Sequence, residues 1–336
     1  MASENLYDKF KGRHVISIRD FNRQDLEFIL RESSKMADRL KNDLPGVREL
    51  LKGRRMGLIF YEPSTRTVLS FATEMDLLGG TVEGIRDPKS SSAAKGEVLM
   101  DTIQVMSGYF FDTFVIRHYD DGSVRRASEF SVYPENNPEE GQLIPVLNGG
   151  DGSNQHPTQT MLDLYTVHHE FGTLDGLTYL LNNDLKNGRT VHSLIEALTM
   201  FNPKKVYCCS SSHLPMPEHI VAECKSKGMD VEEIRRYEDV LGEVDVLYDT
   251  RPQLEREPIT EDLKEKIRSV YTVRAKPISE LAKREMIIMH PLPRDRTVNS
   301  PEYAVDKLPQ ARYFQQSHNG IPVRAALTCL TQGVRI

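Results

Sequence analysis

The stretch MGLIFYEPSTRTVLSF, residues 56–71, joins an apolar run to a polar turn and then to an apolar pattern with helical spacing. The run 56–60 is typical of a buried strand, and the pattern after residue 67 is typical of a helix. The first turn of that predicted helix contains three hydroxyls and an arginine: Ser64, Thr65, Arg66 and Thr67. A first turn presents unpaired N–H groups and the positive end of the helix dipole, so these side chains predict an anion site, most simply for phosphate. A capping role for Ser64 or Thr65, with Arg66 in solvent, is the alternative at this point.

Strand-like runs of this kind alternate with helical patterns along most of the chain. This alternation predicts an α/β fold with two domains, each a mainly parallel sheet flanked by helices. The length of 336 residues exceeds the usual size of one compact core and favours the same division. The predicted strands are 56–60, 81–85, 113–116 and 144–147 in the first half, and 177–181, 206–209, 244–248 and 286–289 in the second. The predicted helices include 161–171, 190–201 and 217–227.

The composition disfavours several classes of protein. A net charge of −6 disfavours a nucleic-acid-binding protein, which is usually basic. No run of about 18 apolar residues is present, and the polar N-terminus lacks the apolar core of a signal peptide, so no membrane span is expected. The four cysteines are too few for a disulfide scaffold, which favours a protein of the reducing cytoplasm. They form no Cys-x-x-Cys pair, which argues against a zinc site made of cysteines. Cys208 and Cys209 lie in an apolar run and are predicted to be buried.

Five further polar clusters follow predicted strands or open predicted helices. They are RH at 117–118, QHPTQ at 155–159, DLKNGRT at 184–190, TRPQLER at 250–256 and HPLPR at 290–294. Ligands of open α/β sheets bind beyond the carboxyl ends of strands, so these clusters are candidates for a shared site. Four arginines in such positions in an acidic protein imply a small ligand with several anionic oxygens; they are Arg66, Arg117, Arg189 and Arg251.

Each cluster taken alone also has a structural interpretation. Arg117 could be a surface charge at a strand end, and His156 could be a helix cap or a core histidine. Arg189 could be a solvated first-turn residue, although a cation is electrostatically misplaced there. Arg251 and Arg256 could form a charged helix face with Glu255, and the Pro-Leu-Pro of 291–293 could be a rigid turn.

Several common catalytic signatures are missing from the sequence. It contains no His-Glu-x-x-His motif, no P-loop, no dinucleotide-binding glycine fingerprint and no Gly-x-Ser-x-Gly elbow. The predicted chemistry is therefore the positioning of anionic substrates, without a metal or an organic cofactor.

The order of these motifs resembles that of the transcarbamylases and, within them, of the aspartate carbamoyltransferases. The motifs are EPSTRT at 62–67, SSAAKGE at 91–97, VIRH at 115–118, GDGSNQHPTQTMLDLYT at 150–166, DLKNGRTVHSL at 184–194, TRPQLER at 250–256, HPLPR at 290–294 and YFQQSHNG at 313–320. The resemblance spans nearly the whole chain. It implies transfer of the carbamoyl group of carbamoyl phosphate to the α-amine of L-aspartate, as in pyrimidine biosynthesis.

The resemblance also implies a role for each position of the first-substrate site. The implied phosphate ligands are Ser64, Thr65, Arg66 and Thr67. The implied ligands of the carbonyl oxygen are Thr67, Arg117 and His156. The carbamoyl NH2 would be held by Gln159 and by the backbone carbonyls of Pro291 and Leu292. The implied carbamoyl-phosphate-binding domain is 1–156 plus 313–336.

The second substrate and the assembly are implied in the same way. The two carboxylates of L-aspartate would be bound by Arg189, Arg251 and Gln253, in a domain at 157–312. Where this chain has His-Pro-Leu-Pro at 290–293, ornithine carbamoyltransferases have a sequence that resembles His-Cys-Leu-Pro. They also lack the Arg-x-Gln of 251–253. Ser91 and Lys95 resemble a loop lent to a neighbouring subunit, which implies a homotrimer with shared active sites. Glu62 would pair with Arg189 and Arg256 on domain closure. A regulatory chain remains a further candidate partner.

The chain departs from the family pattern at several positions. Asn183 and Asn187 stand where glycine and tyrosine are common, and Asp249 stands where the family tends to be less charged. Tyr119 replaces a common proline, residues 133–141 look like an insertion, and 295–298 lack the usual acidic pattern. These departures leave two alternatives open: a transcarbamylase for another amine, or a weakly catalytic regulatory homologue.

Overall fold

The computed structural model describes residues 2–85, 92–135, 137–294 and 300–336. The chain divides into two compact units, Met1–Tyr165 with Asn319–Ile336, and Thr166–His318. The described residues of each unit contain a parallel β-sheet and helices, which confirms the predicted α/β class with two parallel sheets. The functional domain boundaries given above, 1–156 with 313–336 and 157–312, stay a prediction.

The first unit contains a four-stranded sheet among its described residues, in the order β2-β1-β3-β4. Its strands are β1 (Arg55–Phe60), β2 (Thr81–Ile85), β3 (Thr113–His118) and β4 (Val146–Asp151), and every neighbouring pair is parallel. The predicted strand 144–147 thus begins two residues later, because Pro145 has no N–H to donate to the ladder. Parallel strands place their carboxyl ends at one edge, so the segments that follow β1, β3 and β4 meet there.

Helices surround this sheet and supply much of the core of the first unit. They are α1 (Ala2–Phe10), α2 (Arg23–Asn42), α3 (Leu44–Val47), α4 (Thr65–Leu77), α5 (Leu99–Ser107), α6 (Ser123–Ser128) and α7 (Pro157–Phe171), which continues into the second unit; a later helix, Gly320–Thr331, packs against α2 and α4. The apolar side of the sheet includes Ile59, Phe114 and Ile116, all fully buried. Burial of these side chains is the main stabilising contribution.

The second unit contains a five-stranded parallel sheet among its described residues, in the order β7-β6-β5-β8-β9. Its strands are β5 (Thr178–Asn182), β6 (Lys205–Cys209), β7 (Val231–Ile234), β8 (Val246–Asp249) and β9 (Ile287–Met289). The sequence did not predict β7, because its two central residues are glutamates. This strand lies at the sheet edge, where those side chains remain exposed.

Helices of the second unit follow the same alternation with strands. They are α8 (Arg189–Leu198), α9 (Glu218–Ser226), α10 (Glu261–Tyr271), α11 (Ala275–Leu281) and α12 (Tyr313–His318); the helix Gly320–Thr331, α13, returns to the first unit. Cys208 and Cys209 are buried in β6, as predicted, and both are free thiols. Within the described ranges, no helix combines the length and the apolar character needed to cross a bilayer.

Candidate active site

The first turn of α4 carries the predicted phosphate ligands directly after β1. Ser64 is the N-cap residue in an extended conformation, and its side chain makes no capping hydrogen bond within the described part of the chain. Its hydroxyl is not committed to closing the helix, which favours the anion-site interpretation over the capping one. Thr65 and Arg66 are exposed, whereas Thr67 is buried. Desolvation by nearby protein atoms lowers the pKa of Arg66, but an arginine still stays charged.

Arg117 lies near the end of β3, next to the segment that follows β1. Its Nη1 donates to the backbone oxygen of Gly149 at 3.1 Å, and its Nη2 donates to Oε1 of Glu62 at 2.7 Å. Only 8% of the residue is exposed, so the guanidinium is held rigidly and is no surface charge. Glu62 is therefore bound to Arg117 inside the first unit, and its pairing with Arg189 and Arg256 stays a prediction.

Asp151 organises the loop that precedes His156. Its Oδ1 accepts hydrogen bonds from Asn148 Nδ2 and from the Gln155 N–H, each at 3.0 Å. Its Oδ2 accepts from the Gly122 N–H at 3.0 Å. The residue is fully buried, so the contacts tie β4, the following loop and the start of α6 together. His156 is consequently placed directly before the first turn of α7, with 5% of its surface exposed.

Gln159 lies in the first turn of α7 and is bound by a carboxylate one turn further on. Its Nε2 donates to Oδ1 of Asp163 at 2.9 Å, and Asp163 is fully buried. The carboxylate selects the nitrogen end of the amide as its partner. The amide oxygen is then the acceptor that a carbamoyl NH2 would require, which agrees with the role implied for Gln159.

In the second unit, Asp184 joins the two loops that carry the predicted aspartate ligands. Its Oδ1 accepts from the Asn187 N–H at 2.9 Å and its Oδ2 from the Gln253 N–H at 2.8 Å. The Asp184 N–H donates in turn to Thr250 Oγ1 at 3.0 Å. Burial raises the pKa of Asp184, although these donors act in the opposite direction. The segment before Arg189 and the segment after β8 are thus one hydrogen-bonded assembly.

The departure at Asn187 does not leave this loop without contacts. The Asn187 side chain donates to Oε1 of Glu257 at 3.3 Å, and its backbone oxygen accepts from Gln253 Nε2 at 3.1 Å. Gly188 comes next, and a β-carbon there would lie 2.7 Å from the Asp184 backbone oxygen. Glycine permits this close approach, which places the half-buried Arg189 at the first position of α8.

Arg251, Gln253 and Arg256 follow β8, which is the neighbour of β5 in the sheet. Arg251 is half-buried and pairs with the carboxylate of Glu255, as one of the structural interpretations of the sequence expected. Gln253 points its amide nitrogen at the loop of Asn187, and Arg256 is exposed at the end of a 3-10 turn. The structure therefore brings Gln253 to the Arg189 loop.

The segment after β9 presents the backbone of Pro291 and Leu292 through two successive hydrogen bonds. The Leu292 N–H donates to His290 Nδ1 at 2.8 Å, and the His290 N–H donates to Gln316 Oε1 at 2.8 Å. Leu292 adopts a positive φ of 49°, which turns the chain sharply at this point. Gln316 in α12 is buried, so it is a fixed acceptor that holds this segment through the His290 N–H.

Of the two predicted loop residues of the first unit, Ser91 and Lys95, only Lys95 lies within the described residues. Lys95 ends the 3-10 helix Ser92–Lys95 and is exposed to solvent. Ser91 lies outside the described residues, and so do the departures at 295–298. The roles of both Ser91 and Lys95 stay predictions.

Three carboxylates and one amide that hold the candidate ligands in place were not among the predicted site residues: Asp151, Asp163, Asp184 and Gln316. Each lies within or next to one of the sequence motifs, and this position in the sequence was the only indication of its role. Nothing local distinguishes a carboxylate that orients a neighbour from one that faces solvent, because the partners are set by the fold.

Comparisons with known proteins identify the family of this chain. The family model "Aspartate/ornithine carbamoyltransferase, carbamoyl-P binding domain" matches residues 13–169. The model "Aspartate/ornithine carbamoyltransferase, Asp/Orn binding domain" matches residues 175–331. Together these two matches cover most of the chain.

Individual relatives give the same result. The aspartate carbamoyltransferase catalytic subunit of Methanocaldococcus jannaschii is 45% identical over 315 residues, which cover 94% of this chain and 96% of that protein. A crystal form of that catalytic subunit superposes with a TM-score of 0.84 at 42% identity, covering 95% of this chain and 97% of the other. Aspartate transcarbamoylase of Trypanosoma cruzi, solved with carbamoyl phosphate and aspartate, gives a TM-score of 0.83 at 33% identity, with 96% of each chain covered. The chain belongs to the aspartate/ornithine carbamoyltransferase family, among the aspartate carbamoyltransferase catalytic subunits.

Proposed function

We propose that this chain transfers the carbamoyl group of carbamoyl phosphate to the α-amine of L-aspartate, yielding N-carbamoyl-L-aspartate and phosphate in pyrimidine biosynthesis. Family membership supports the reaction class, and the relatives support L-aspartate as the acceptor. The observation on this chain that supports the proposal is the position of two arginines at one edge of the first sheet. There Arg66 lies in the first turn of α4 after β1, and the buried Arg117 lies near the end of the neighbouring strand β3.

The carbonyl oxygen gains negative charge when the amine nitrogen attacks the carbonyl carbon. The proposed donors to this oxygen are Thr67, Arg117 and His156. Arg117 is already held by Gly149 and Glu62, so little reorganisation accompanies the reaction. Donors fixed in advance at the position where charge develops are the usual source of a large rate enhancement.

Collapse of the tetrahedral intermediate breaks the bond between the carbonyl carbon and the phosphate oxygen. Arg66 and the hydroxyls of Ser64 and Thr65 stabilise the charge that grows on the departing phosphate. The phosphate takes up the proton that the amine loses, so the step needs no strong protein base.

The second substrate is bound by Arg189, Arg251 and Gln253. An arginine fork binds a carboxylate through two N–H bonds, and two such forks suit the dicarboxylate L-aspartate and repel the cationic side chain of ornithine. Arg251 already binds a carboxylate in this structure, that of Glu255.

The proposed assembly is a cytoplasmic homotrimer with shared active sites. The exposed Lys95 and its neighbour Ser91 would complete the site of an adjacent subunit. The name "catalytic subunit" carried by the relatives supports an oligomer, and a regulatory chain is a further candidate partner.

The test of the function is product formation from carbamoyl phosphate with L-aspartate and, separately, with L-ornithine. We expect carbamoyl-aspartate at several turnovers per second and no carbamoyl-ornithine above background. Carbamoyl-ornithine, or turnover on another amine alone, would replace the acceptor named here. Binding of carbamoyl phosphate without turnover on any amine would favour a weakly catalytic regulatory homologue.

Lys95→Ala is expected to lower kcat about 10- to 100-fold, because one charge-assisted contact to the substrate in the adjacent subunit's site would be lost. The melting temperature should hardly change, since the side chain is exposed. Lys52→Ala is the matched control, because Lys52 is also exposed and pairs only with surface Glu49 in the described residues.

Mixing oligomers tests whether the site is shared. Lys95→Ala and His156→Ala chains, dissociated and reassembled together, should regain activity, because some sites then receive both native residues from different subunits. Absence of any recovery, or full activity in an isolated monomer, would contradict the shared site.

A further inference from the structure

The Asp249 carboxylate lies at the end of β8 and is fully buried. Its Oδ1 accepts from Asn182 Nδ2 at 2.8 Å and its Oδ2 accepts from Ser300 Oγ at 2.6 Å. The Asn183 side chain and the Thr250 backbone also favour the ionised form of this carboxyl and lower its pKa. Side-chain donors from two separate segments therefore converge on one carboxylate.

These contacts connect two departures that looked unrelated in the sequence. Asn183 has a positive φ of 90°, a conformation that explains why glycine is common at this position. Asparagine tolerates such backbone better than most side chains, and here its side chain reaches Asp249. The unusual carboxylate and the unusual asparagine are thus partners in one network.

The network leads directly to the proposed second-substrate ligands. Thr250 follows Asp249, and both its N–H, at 3.2 Å, and its Oγ1, at 3.1 Å, donate to the backbone oxygen of Asn182, the residue whose side chain binds Asp249. Arg251 comes next, and the Gln253 N–H is fixed on Asp184 at 2.8 Å. The position of this segment therefore depends on what the Thr250 N–H and hydroxyl bind.

We propose that Asp249 is a positioning residue, which fixes Asn182 and, through the Asn182 backbone oxygen that binds Thr250, holds segment 250–253 and thereby sets the affinity of this chain for its second substrate. The inference rests on the proposed function, because it assigns a positioning role within that site.

The charge state of this carboxylate changes near neutral pH. Burial raises the pKa of Asp249 to about 7, although Ser300 and the two asparagines act in the opposite direction. Protonation converts one accepting oxygen into a donor, so Asn182 or Ser300 loses its acceptor. The amide oxygens of Asn182 and Asn183 are buried and accept no hydrogen bond from the described residues. A proton on Asp249 supplies a donor of the kind they lack, so the network has a different hydrogen-bonding arrangement in each charge state.

Other titratable groups face this carboxylate from the neighbouring elements. Cys209 at the end of β6 and Tyr237 in the 3-10 helix Tyr237–Val240 have pKa values raised by burial, that of Tyr237 to about 12, so both are neutral here. Tyr271 at the end of α10 also has a raised pKa. Asp184, in the loop after β5, is a second carboxyl whose pKa is raised. The contribution of Asp249 to the pH dependence of KM is therefore measured in a variant that retains Asp184.

The experiment compares the wild type with Asp249→Asn between pH 6 and pH 8.5, measuring KM for L-aspartate, kcat and the Kd of carbamoyl phosphate. In the wild type, we expect KM for L-aspartate to rise about 3- to 10-fold as the pH falls through 7, the equivalent of about one net hydrogen bond. Asp249→Asn should show the high KM throughout without this inflection, while kcat and the carbamoyl phosphate Kd change less than about twofold. An Asp249→Asn profile that matches the wild type would overturn the inference.

Ser300→Ala is a second variant that keeps the carboxylate and removes one donor to its ionised form. Loss of this donor raises the pKa of Asp249 further, so the inflection in KM should move to higher pH, whereas a purely structural role would leave it in place. Ser279→Ala, which removes only a hydroxyl bonded to Ala275 on the exposed face of α11, is the matched control. A wild type that does not carbamoylate L-aspartate at all overturns the proposed function itself, whereas an active wild type with an unmoved inflection in both variants overturns only the role of Asp249.

Discussion

Arg66→Ala should lower kcat about 100- to 1,000-fold, the range found when a single preorganised group that stabilises transition-state charge is removed. Arg66 is the second residue of α4, and its guanidinium stays charged at the helix end where the phosphate is proposed to bind. Since the residue is exposed, the free energy of unfolding should change by less than about 0.5 kcal/mol. Steady-state kinetics and urea denaturation of the same preparation measure both effects.

Two variants make this result specific. Arg66→Lys keeps a charge but loses the planar fork, so it should retain part of the activity. Arg23→Ala removes a partly exposed arginine that pairs with Glu27 on α2 and should leave kcat unchanged. If Arg66→Ala keeps its kcat within threefold of the wild type, the capping interpretation of residues 64–67 returns and the phosphate site lies elsewhere.

The second large effect concerns stability. Arg324 in α13 is 4% exposed, donates to Ser70 Oγ at 2.5 Å and lies over the ring of Phe71, with 5.0 Å between the guanidinium carbon and the ring centroid. Burial lowers its pKa to about 10, and the fields of Glu74 and Asp163 oppose this shift. We expect Arg324→Met to lower the free energy of unfolding by about 3–5 kcal/mol, because the buried Asp163 carboxylate loses its opposing charge and Ser70 loses its donor. Guanidinium denaturation at pH 7 measures this loss.

Glu74 supplies the control for this prediction. Its carboxyl is fully buried and accepts from Thr328 Oγ1 at 2.8 Å, and burial raises its pKa to about 8. The neutral form is thus favoured in the folded state, so its contribution is complete below pH 4.5 and is lost as the pH rises through 8. Glu74→Gln should be close to the wild type below pH 4.5, should be more stable than the wild type at pH 7, where the unfolded wild type ionises this carboxyl, and should remove that part of the pH dependence. An Arg324→Met variant as stable as the wild type would show that the cluster carries no net electrostatic stabilisation.

This buried cluster also bears on the proposed phosphate site. Ser70 lies one turn after Arg66 on α4, and Asp163 is the residue that binds Gln159. The C-terminal helix α13 therefore supports two of the elements that carry first-substrate ligands. A destabilised Arg324→Met variant should accordingly show weaker carbamoyl phosphate binding even where it remains folded.

The elements with a strong local signal were predictable from the sequence. The stretch 56–71 combines a continuous apolar run, a polar turn and helical spacing, so strand, turn and helix follow from local preferences alone. By contrast, β7 was missed because two glutamates in a short edge strand carry no alternation of the kind that marks a half-buried strand. The start of β4 shifted because a single proline interrupts the hydrogen-bond ladder.

The residues expected to touch substrate were recognisable because their motifs are short and occur in a characteristic order. Arg117 lies near the end of β3, and Arg66, His156 and Gln159 follow β1 and β4, the two strands that flank β3 in the sheet. Their orientation was not recognisable, since it depends on carboxylates such as Asp151 and Asp163 whose partners only the fold defines.

The sequence by itself thus determined the α/β class, the two parallel sheets, the family and the set of candidate ligands, because periodicity and motif order are properties of neighbouring residues. The tertiary structure alone decided which polar groups meet: Asp184 with Gln253, 69 residues apart; Asp249 with Ser300, 51 apart; and Glu74 with Thr328, 254 apart. Such pairs have no local signature, because a buried carboxylate is tolerated only where packing of distant segments supplies its donors. For that reason Asn183 and Asp249 looked like separate departures in the sequence and became one network in the folded chain.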